Sequence, residues 1–104
     1  MKHKPAPGKA AADRAAHESA ETLAATALGF LAGDETRLFA FLDATGLDPG
    51  SLREAAGSPG FLQAVLEHVI ADEPLLLAFA ANEGLDPAAV VRARDRLAGP
   101  LPDG

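Results

Sequence analysis

The stretch that decides the fold is Asp72-Glu73-Pro74-Leu75-Leu76-Leu77-Ala78-Phe79-Ala80-Ala81-Asn82-Glu83-Gly84-Leu85-Asp86-Pro87. Seven successive residues, from Leu75 to Ala81, have no polar atom in their side chains. On a helix such a run is apolar on every side, which predicts a helix enclosed by other protein. The run is far too short for a bilayer, which requires about 20 residues. We therefore expect it to form the central buried helix of a small bundle.

The residues at the two ends of this stretch have the chemistry of helix boundaries. Asp72 can accept a hydrogen bond from a free N–H of the first turn, and Pro74 lacks an N–H that the first turn leaves unpaired. Gly84 can adopt the left-handed conformation that closes many helices. Asp86 and Pro87 then have the same roles at the start of a further helix.

Outward from this stretch, apolar residues at three- and four-residue spacing predict helices on both sides. Including the central one, helices are expected over about 13–32, 35–45, 49–56, 59–71, 73–83 and 87–97. Residues 1–12 hold two Pro, one Gly and three Lys, and no large apolar residue follows Met1, so little could offset the entropy of ordering them. The sequence thus predicts one all-α domain, residues 13–98, between disordered tails at 1–12 and 99–104.

The helix punctuation recurs at an offset of 38 residues. Gly46-Leu47-Asp48-Pro49 corresponds to Gly84-Leu85-Asp86-Pro87, and Asp34-Glu35 corresponds to Asp72-Glu73. Aligning residues 23–56 with 61–94 gives 11 identities in 34 positions. Either a three-helix unit was duplicated or one good local solution arose twice. We predict a pseudo-repeat within a closed bundle, with the first copy on the surface and the second at the centre.

Charge and composition limit the classes of partner. The net charge is −6, and residues 15–91 carry two Arg against twelve acids, which is −10. An acidic body repels nucleic acid and anionic membranes and favours basic partners. There is no Cys, so thiol chemistry is excluded, and Phe is the only aromatic residue type of the Phe, Trp and Tyr set. The basic start Met1-Lys2-His3-Lys4 continues into Pro5-Ala6-Pro7 and not into the apolar run of a signal peptide, so we expect a cytoplasmic protein.

A resemblance to a known family rests on motifs spread along the chain. These are Phe30-Leu31-Ala32 with Asp34, Arg37-Leu38 through Phe41-Leu42, Thr45-Gly46-Leu47-Asp48-Pro49, Leu52-Arg53, Pro59-Gly60-Phe61-Leu62, and Asp72-Glu73 to Gly84-Leu85-Asp86-Pro87. Over about residues 15–98 the chain resembles a family of short, acidic, Ala-rich alphaproteobacterial proteins known as a domain of unknown function. The resemblance implies a bacterial, regulatory protein and carries over no catalytic residue.

Two sets of side chains are candidates for chemical sites. His68 and Asp72 lie one turn apart and supply two candidate metal ligands, but zinc requires three or four. His3 and His17 lie in or near the tail and are expected to be solvated. The acid pairs Asp34-Glu35 and Asp72-Glu73 stand where helix capping explains them. We therefore predict no catalytic, cofactor-binding or metal residue, no cofactor, and no enzyme activity.

Arg92, Arg94 and Arg96 follow the Gly84-Leu85-Asp86 turn on the last helix, which suggests a helix-turn-helix reading. Cations near a helix C-terminus are expected without DNA, and the acidic body disfavours nucleic acid. A helix-turn-helix-like nucleic-acid-binding protein that uses the last helix is therefore the alternative function.

The leading function rests on surplus apolar residues. Leu28, Leu31, Phe39 and one side of Leu75–Leu77 exceed what one helix face needs, and the sequence leaves open whether they are buried or form an exposed patch. We predict a non-enzymatic cytoplasmic protein–protein interaction module that binds through an apolar groove rimmed by acids. No membrane partner is expected, and a homodimer remains open.

Overall fold

The computed structural model describes residues 8–99, which form helices and no strand. The helices are α1 (Lys9–Ala32), α2 (Glu35–Thr45), α3 (Leu52–Ala55), α4 (Pro59–Ala71), α5 (Glu73–Glu83) and α6 (Pro87–Ala98), with a 3₁₀ turn at Pro49–Ser51 before α3. The predicted all-α bundle of about six helices is confirmed. None of the described helices combines the length and apolar character needed to cross a bilayer.

The first helix begins four residues earlier than the sequence predicts. It starts at Lys9, so residues 9–12, assigned to the tail, belong to α1. Ala10, Ala11 and Ala12 have the highest intrinsic helix propensity and extend the helix without needing a packed face. The rest of the predicted tails, residues 1–7 and 100–104, lies outside the described residues.

The central helix of the bundle is α4, and the prediction that α5 would occupy this place is wrong. α4 packs against α1, α2, α5 and α6. Its residues Val65, Leu66 and Val69 have no solvent exposure. α5 lies at the periphery, and its Leu77 is 49% exposed. The prediction failed because several apolar residues of α5 are alanines, whose small side chains have little apolar surface. Exposing them to water costs little free energy, so an apolar run of this kind does not require a central position.

Two ring contacts hold the short helices α2 and α5 against the longer ones. Phe41 of α2 meets His68 of α4 with ring centroids 5.2 Å apart and planes at 78°. Phe79 of α5 meets Phe30 of α1 at 5.4 Å and 56°. Phe41 also lies edge-on to Phe61 at 5.8 Å. Because Phe41 and Phe79 are fully buried, each fixes its helix to the core.

The predicted caps are present at both copies of the punctuation. Asp34 accepts a hydrogen bond from the Arg37 N–H at 3.1 Å, and Asp72 accepts one from the Leu75 N–H at 3.2 Å. Gly46 and Gly84 close α2 and α5 in the left-handed region, with φ of 76° and 67°. Both helices therefore begin and end by the same local chemistry.

The two ring contacts are equivalent under the 38-residue offset. Phe41 corresponds to Phe79, and Phe30 corresponds to His68, so each copy contributes one ring to each contact. The third helices of the two copies differ. α6 packs against α1 and α4, whereas α3 adds only partly buried side chains to the core. The pseudo-repeat of whole three-helix units therefore stays a prediction.

Gly84 provides a test of the turn geometry. Gly84→Val should lower the free energy of unfolding by about 1–2 kcal/mol or more, because a β-branched residue is strained at positive φ. Gly29→Ala is the control: Gly29 lies inside α1 with no atom within 4 Å of a new Cβ, so the change should add about 0.5–1 kcal/mol. Urea denaturation followed by circular dichroism measures both, and equal midpoints would contradict the turn assignment.

The position of α4 gives a second stability prediction. Leu66→Ala should lower the free energy of unfolding by about 2–5 kcal/mol, since it opens a cavity in a fully buried site. Leu77→Ala, on the exposed side of α5, should stay within about 0.5 kcal/mol of the wild type. If Leu77→Ala were the more damaging of the two in the same denaturation experiment, α5 and not α4 would be the central helix.

Candidate functional site

An open groove lies beside the last turn of α2 and the residues that follow it. Its volume is about 680 Å³, and we call it the Phe39 groove after its most exposed apolar side chain. Its lining residues are Phe39, Ala40, Leu42, Asp43, Gly46, Leu47, Asp48 and Pro49. Phe39 is 56% exposed, the largest exposure of any large apolar residue within 8–99.

The local sequence explains the shape of this groove. Leu38, Phe41 and Leu42 fill the inward face of α2, and successive residues are rotated by about 100°. Phe39 is therefore directed away from the core. At the end of the helix the Gly46 N–H donates to the Leu42 carbonyl at 2.8 Å. The left-handed turn at Gly46 then returns Leu47, half-buried, to the core beside the groove.

Carboxylates flank Phe39 along α2. Glu35 precedes it by one helical turn, Asp43 follows it by one turn, and all three side chains are exposed. Neither Glu35 nor Asp43 makes a side-chain hydrogen bond or ion pair to another residue of the described part of the chain. Asp48 caps the 3₁₀ turn by accepting from the Ser51 N–H at 3.0 Å. The surface is thus an apolar groove with an acidic border.

The structure answers the question that the sequence left open about the surplus apolar residues. Leu31 is fully buried, and Leu28 is half-buried against the core. Phe39 and Leu77 are exposed. These two occupy equivalent positions of the 38-residue offset, but Leu77 is followed one turn later by Ala81 where Phe39 is followed by Asp43. Of these two exposed residues, Phe39 lines the Phe39 groove and Leu77 does not.

His68 and Asp72, the candidate metal ligands, line one cavity of about 330 Å³ between α2 and α5. Three pairs of equivalent residues complete its wall: Thr36 with Pro74, Arg37 with Leu75, and Ala40 with Ala78. The polar groups here already have structural partners. Asp72 caps α5, the His68 ring lies against Phe41, and the Arg37 guanidinium lies 4.4 Å from the centre of the Phe30 ring.

Within residues 8–99 no group of three His, Asp or Glu side chains is placed to hold a metal ion. Asp34 and Asp72 bind backbone N–H groups at helix starts, and Glu35 and Glu73 occupy the first turns behind them. The geometry therefore supports capping for these acid pairs.

His17 is buried, and the expectation that it would be solvated is wrong. It lies in α1 with 7% exposure, because the helix continues for two turns before it. Its Nε2 is 3.6 Å from a carboxylate oxygen of Glu21. Its Nδ1 is buried and has no hydrogen-bond partner among residues 8–99. A buried nitrogen without a hydrogen bond costs free energy of folding, and no described residue forms one with His17 Nδ1.

The arginines of α6 are mostly engaged within the chain. Arg96 lies 3.5 Å from Asp13 of α1, and Arg94 lies 2.8 Å from Asp95. Val90 and Ala93 are buried where α6 packs on its neighbours, so the helix is held in the bundle on its apolar side. Arg92 is exposed and makes no ion pair with another described residue. A further groove of about 440 Å³ lies between α1 and α6, with Arg92 and Arg96 beside alanines.

The fold and this surface define a class: an all-α helical bundle whose described residues present an apolar, acid-bordered groove and no cluster of three potential metal ligands. Residues 17–100 match the family described as "Protein of unknown function (DUF3572)", and the chain belongs to that family. Comparison with curated proteins and with solved structures gives no match.

His17 gives a prediction about the unpartnered nitrogen. His17→Leu should leave the free energy of unfolding unchanged or raise it by up to about 1 kcal/mol, because it removes a buried polar atom and keeps a side chain in the core. His17→Ala is the control and should destabilise, since it leaves a cavity. A loss of more than about 2 kcal/mol for His17→Leu in urea denaturation would show that the imidazole has a polar partner.

Proposed function

We propose that the chain is a non-enzymatic protein–protein interaction module that binds its partner at the Phe39 groove. The single observation that carries the proposal is the 56% exposure of Phe39 at an apolar groove. Aromatic side chains are enriched at the centres of protein interfaces, where they contribute large contact areas at small entropic cost. Contiguous exposed apolar surface marks such sites, and here the Phe39 ring is joined by apolar atoms of Leu47 and Pro49 in the same groove.

The surroundings of Phe39 support the same proposal. The groove combines apolar walls from Leu42 and Leu47 with carboxylates at its border, which resembles the apolar centre and polar rim of known interfaces. Binding there would leave the core unchanged, since Phe41, which is fully buried and does not line the groove, holds α2 against the core. A rigid groove of this kind loses little conformational entropy on binding. The compartment we propose is the cytoplasm, as the sequence analysis expects.

The nucleic-acid alternative has less support. A recognition helix needs several cationic side chains free to meet phosphates and bases. On α6, Arg94 and Arg96 are paired with Asp95 and Asp13, so Arg92 is the single α6 arginine without an ion pair among described residues. The net charge of −6 also opposes approach to DNA.

Affinity capture from the native cell tests the interaction function with three forms of the full chain. The wild type and Leu77→Ser should retain the same partner, whereas Phe39→Ser should lose it by about ten-fold or more, because truncating a central aromatic residue costs at least that factor. Leu77→Ser is the matched control, since Leu77 occupies the equivalent position and is similarly exposed.

Circular dichroism should first show that both variants remain folded. Capture of the same proteins in equal amounts by all three forms would contradict the proposal. Sedimentation of the wild type at several concentrations tests the homodimer in the same series, because a dimer formed through the groove would dissociate in Phe39→Ser and not in Leu77→Ser.

A further inference from the structure

Two carboxylates stand at a regular spacing on either side of Phe39 along α2, and one of them, Asp43, also lines the groove. Glu35, Phe39 and Asp43 follow one another at four-residue intervals. Such residues lie on one side of a helix, about 6 Å apart along its axis. The exposed ring is therefore bracketed by one carboxylate on each side, and the two carboxylates are about 12 Å apart along that axis.

The remaining lining of the groove adds apolar surface and one more acid. Leu42, Leu47, Ala40 and Pro49 contribute apolar atoms, and Asp48 contributes the additional carboxylate. No Lys or Arg lines this groove. Negative charge is thus concentrated at the border of apolar surface, where a partly desolvated cation would be attracted more strongly than on a fully hydrated surface.

We infer that the Phe39 groove takes a helical partner segment in which one large apolar side chain is flanked by a Lys or Arg one turn before it and one turn after it. This inference rests on the proposed function and names the partner chemistry of the same site. The apolar side chain packs between Phe39 and Leu47, and the two cations meet Glu35 and Asp43. Asp48, which also lines the groove, and the net negative charge of residues 15–91 add to the attraction for both cations.

A second copy of this chain fits the groove less well. Residues 15–91 carry −10, so two copies repel each other before any local contact forms. Arg92 and Arg96 lie one turn apart on α6 with no large apolar residue between them. They do not match a ring bracketed by acids that are two turns apart.

Two short synthetic helical peptides provide the probe. The basic peptide has Leu at its centre and Lys four residues before and after it, and the acidic peptide has Glu in place of both Lys. Titration into the ¹⁵N-labelled full chain at low ionic strength, followed by NMR, should show the basic peptide shifting the amide signals of Asp43, Gly46 and Leu47. Its affinity should exceed that of the acidic peptide by about ten-fold, since two attractive pairs replace two repulsive ones.

Charge reversal distinguishes local recognition from net charge. The double variant Glu35→Lys with Asp43→Lys should reverse the preference, so that the acidic peptide binds more tightly. Glu18→Lys with Glu67→Lys is the matched control: both residues are exposed and lie outside the groove, and the net charge changes equally. This control should keep the preference for the basic peptide. Phe39→Ala should weaken the binding of both peptides.

Each outcome separates the two proposals. Equal binding of the two peptides at the groove would overturn the stated partner chemistry and leave the interaction function intact. If neither peptide binds but Phe39→Ser loses a cellular partner, the stated partner chemistry is likewise overturned and the interaction function stands. Groove-dependent dimerisation would replace the basic helix with a second copy. No peptide binding and unchanged capture by Phe39→Ser would overturn both.

Discussion

The arrangement of the surface depends on two crossed ring contacts, Phe41 with His68 and Phe79 with Phe30. Helices of 11 residues such as α2 and α5 are marginal on their own in water. Burying one Phe contributes about 1.5–3 kcal/mol, which is enough to fix the position and rotation of such a helix. Because Phe41 must face the core, Phe39, which lies two residues earlier and is rotated from it by about 200° around the helix axis, must face away from the core. The exposed ring is therefore a geometric consequence of the buried one.

Local chemistry made most helix boundaries predictable, with the start of α1 as an exception. Features that depend on non-local packing were not predictable in this way. The caps at Asp34 and Asp72 and the left-handed glycines depend on neighbouring residues in the chain, so the sequence contains what is needed. The peripheral position of α5 and the burial of His17 depend on which helices meet, and no local pattern encodes that. The sequence predicted part of the Phe39 groove. Phe39 was among the surplus apolar residues, whereas Leu47 and Asp48 were assigned to the turn and not to a surface.

Several polar side chains in the described part of the molecule have structural roles. Asp48 and Asp72 cap helical segments, Arg37 lies over Phe30, and His68 packs on Phe41. A catalytic group must instead be available to a substrate and supported by a partner that adjusts its proton affinity. Glu35 and Asp43 differ from the others because they have no such structural partner within residues 8–99 and border apolar surface. This division motivates the interaction role proposed above.

The Phe39 groove combines residues that the fold requires with residues that it does not. Gly46, Leu47 and Asp48 close α2, return the chain to the core and start the next turn, so mutations there disturb the bundle. Phe39 and Asp43 are exposed and hold nothing in place. In evolutionary terms, the shape of the groove is inherited with the scaffold, while its ring and its charge can drift. Related chains could thus acquire new binding preferences by one or two substitutions, with little loss of stability to restrain them.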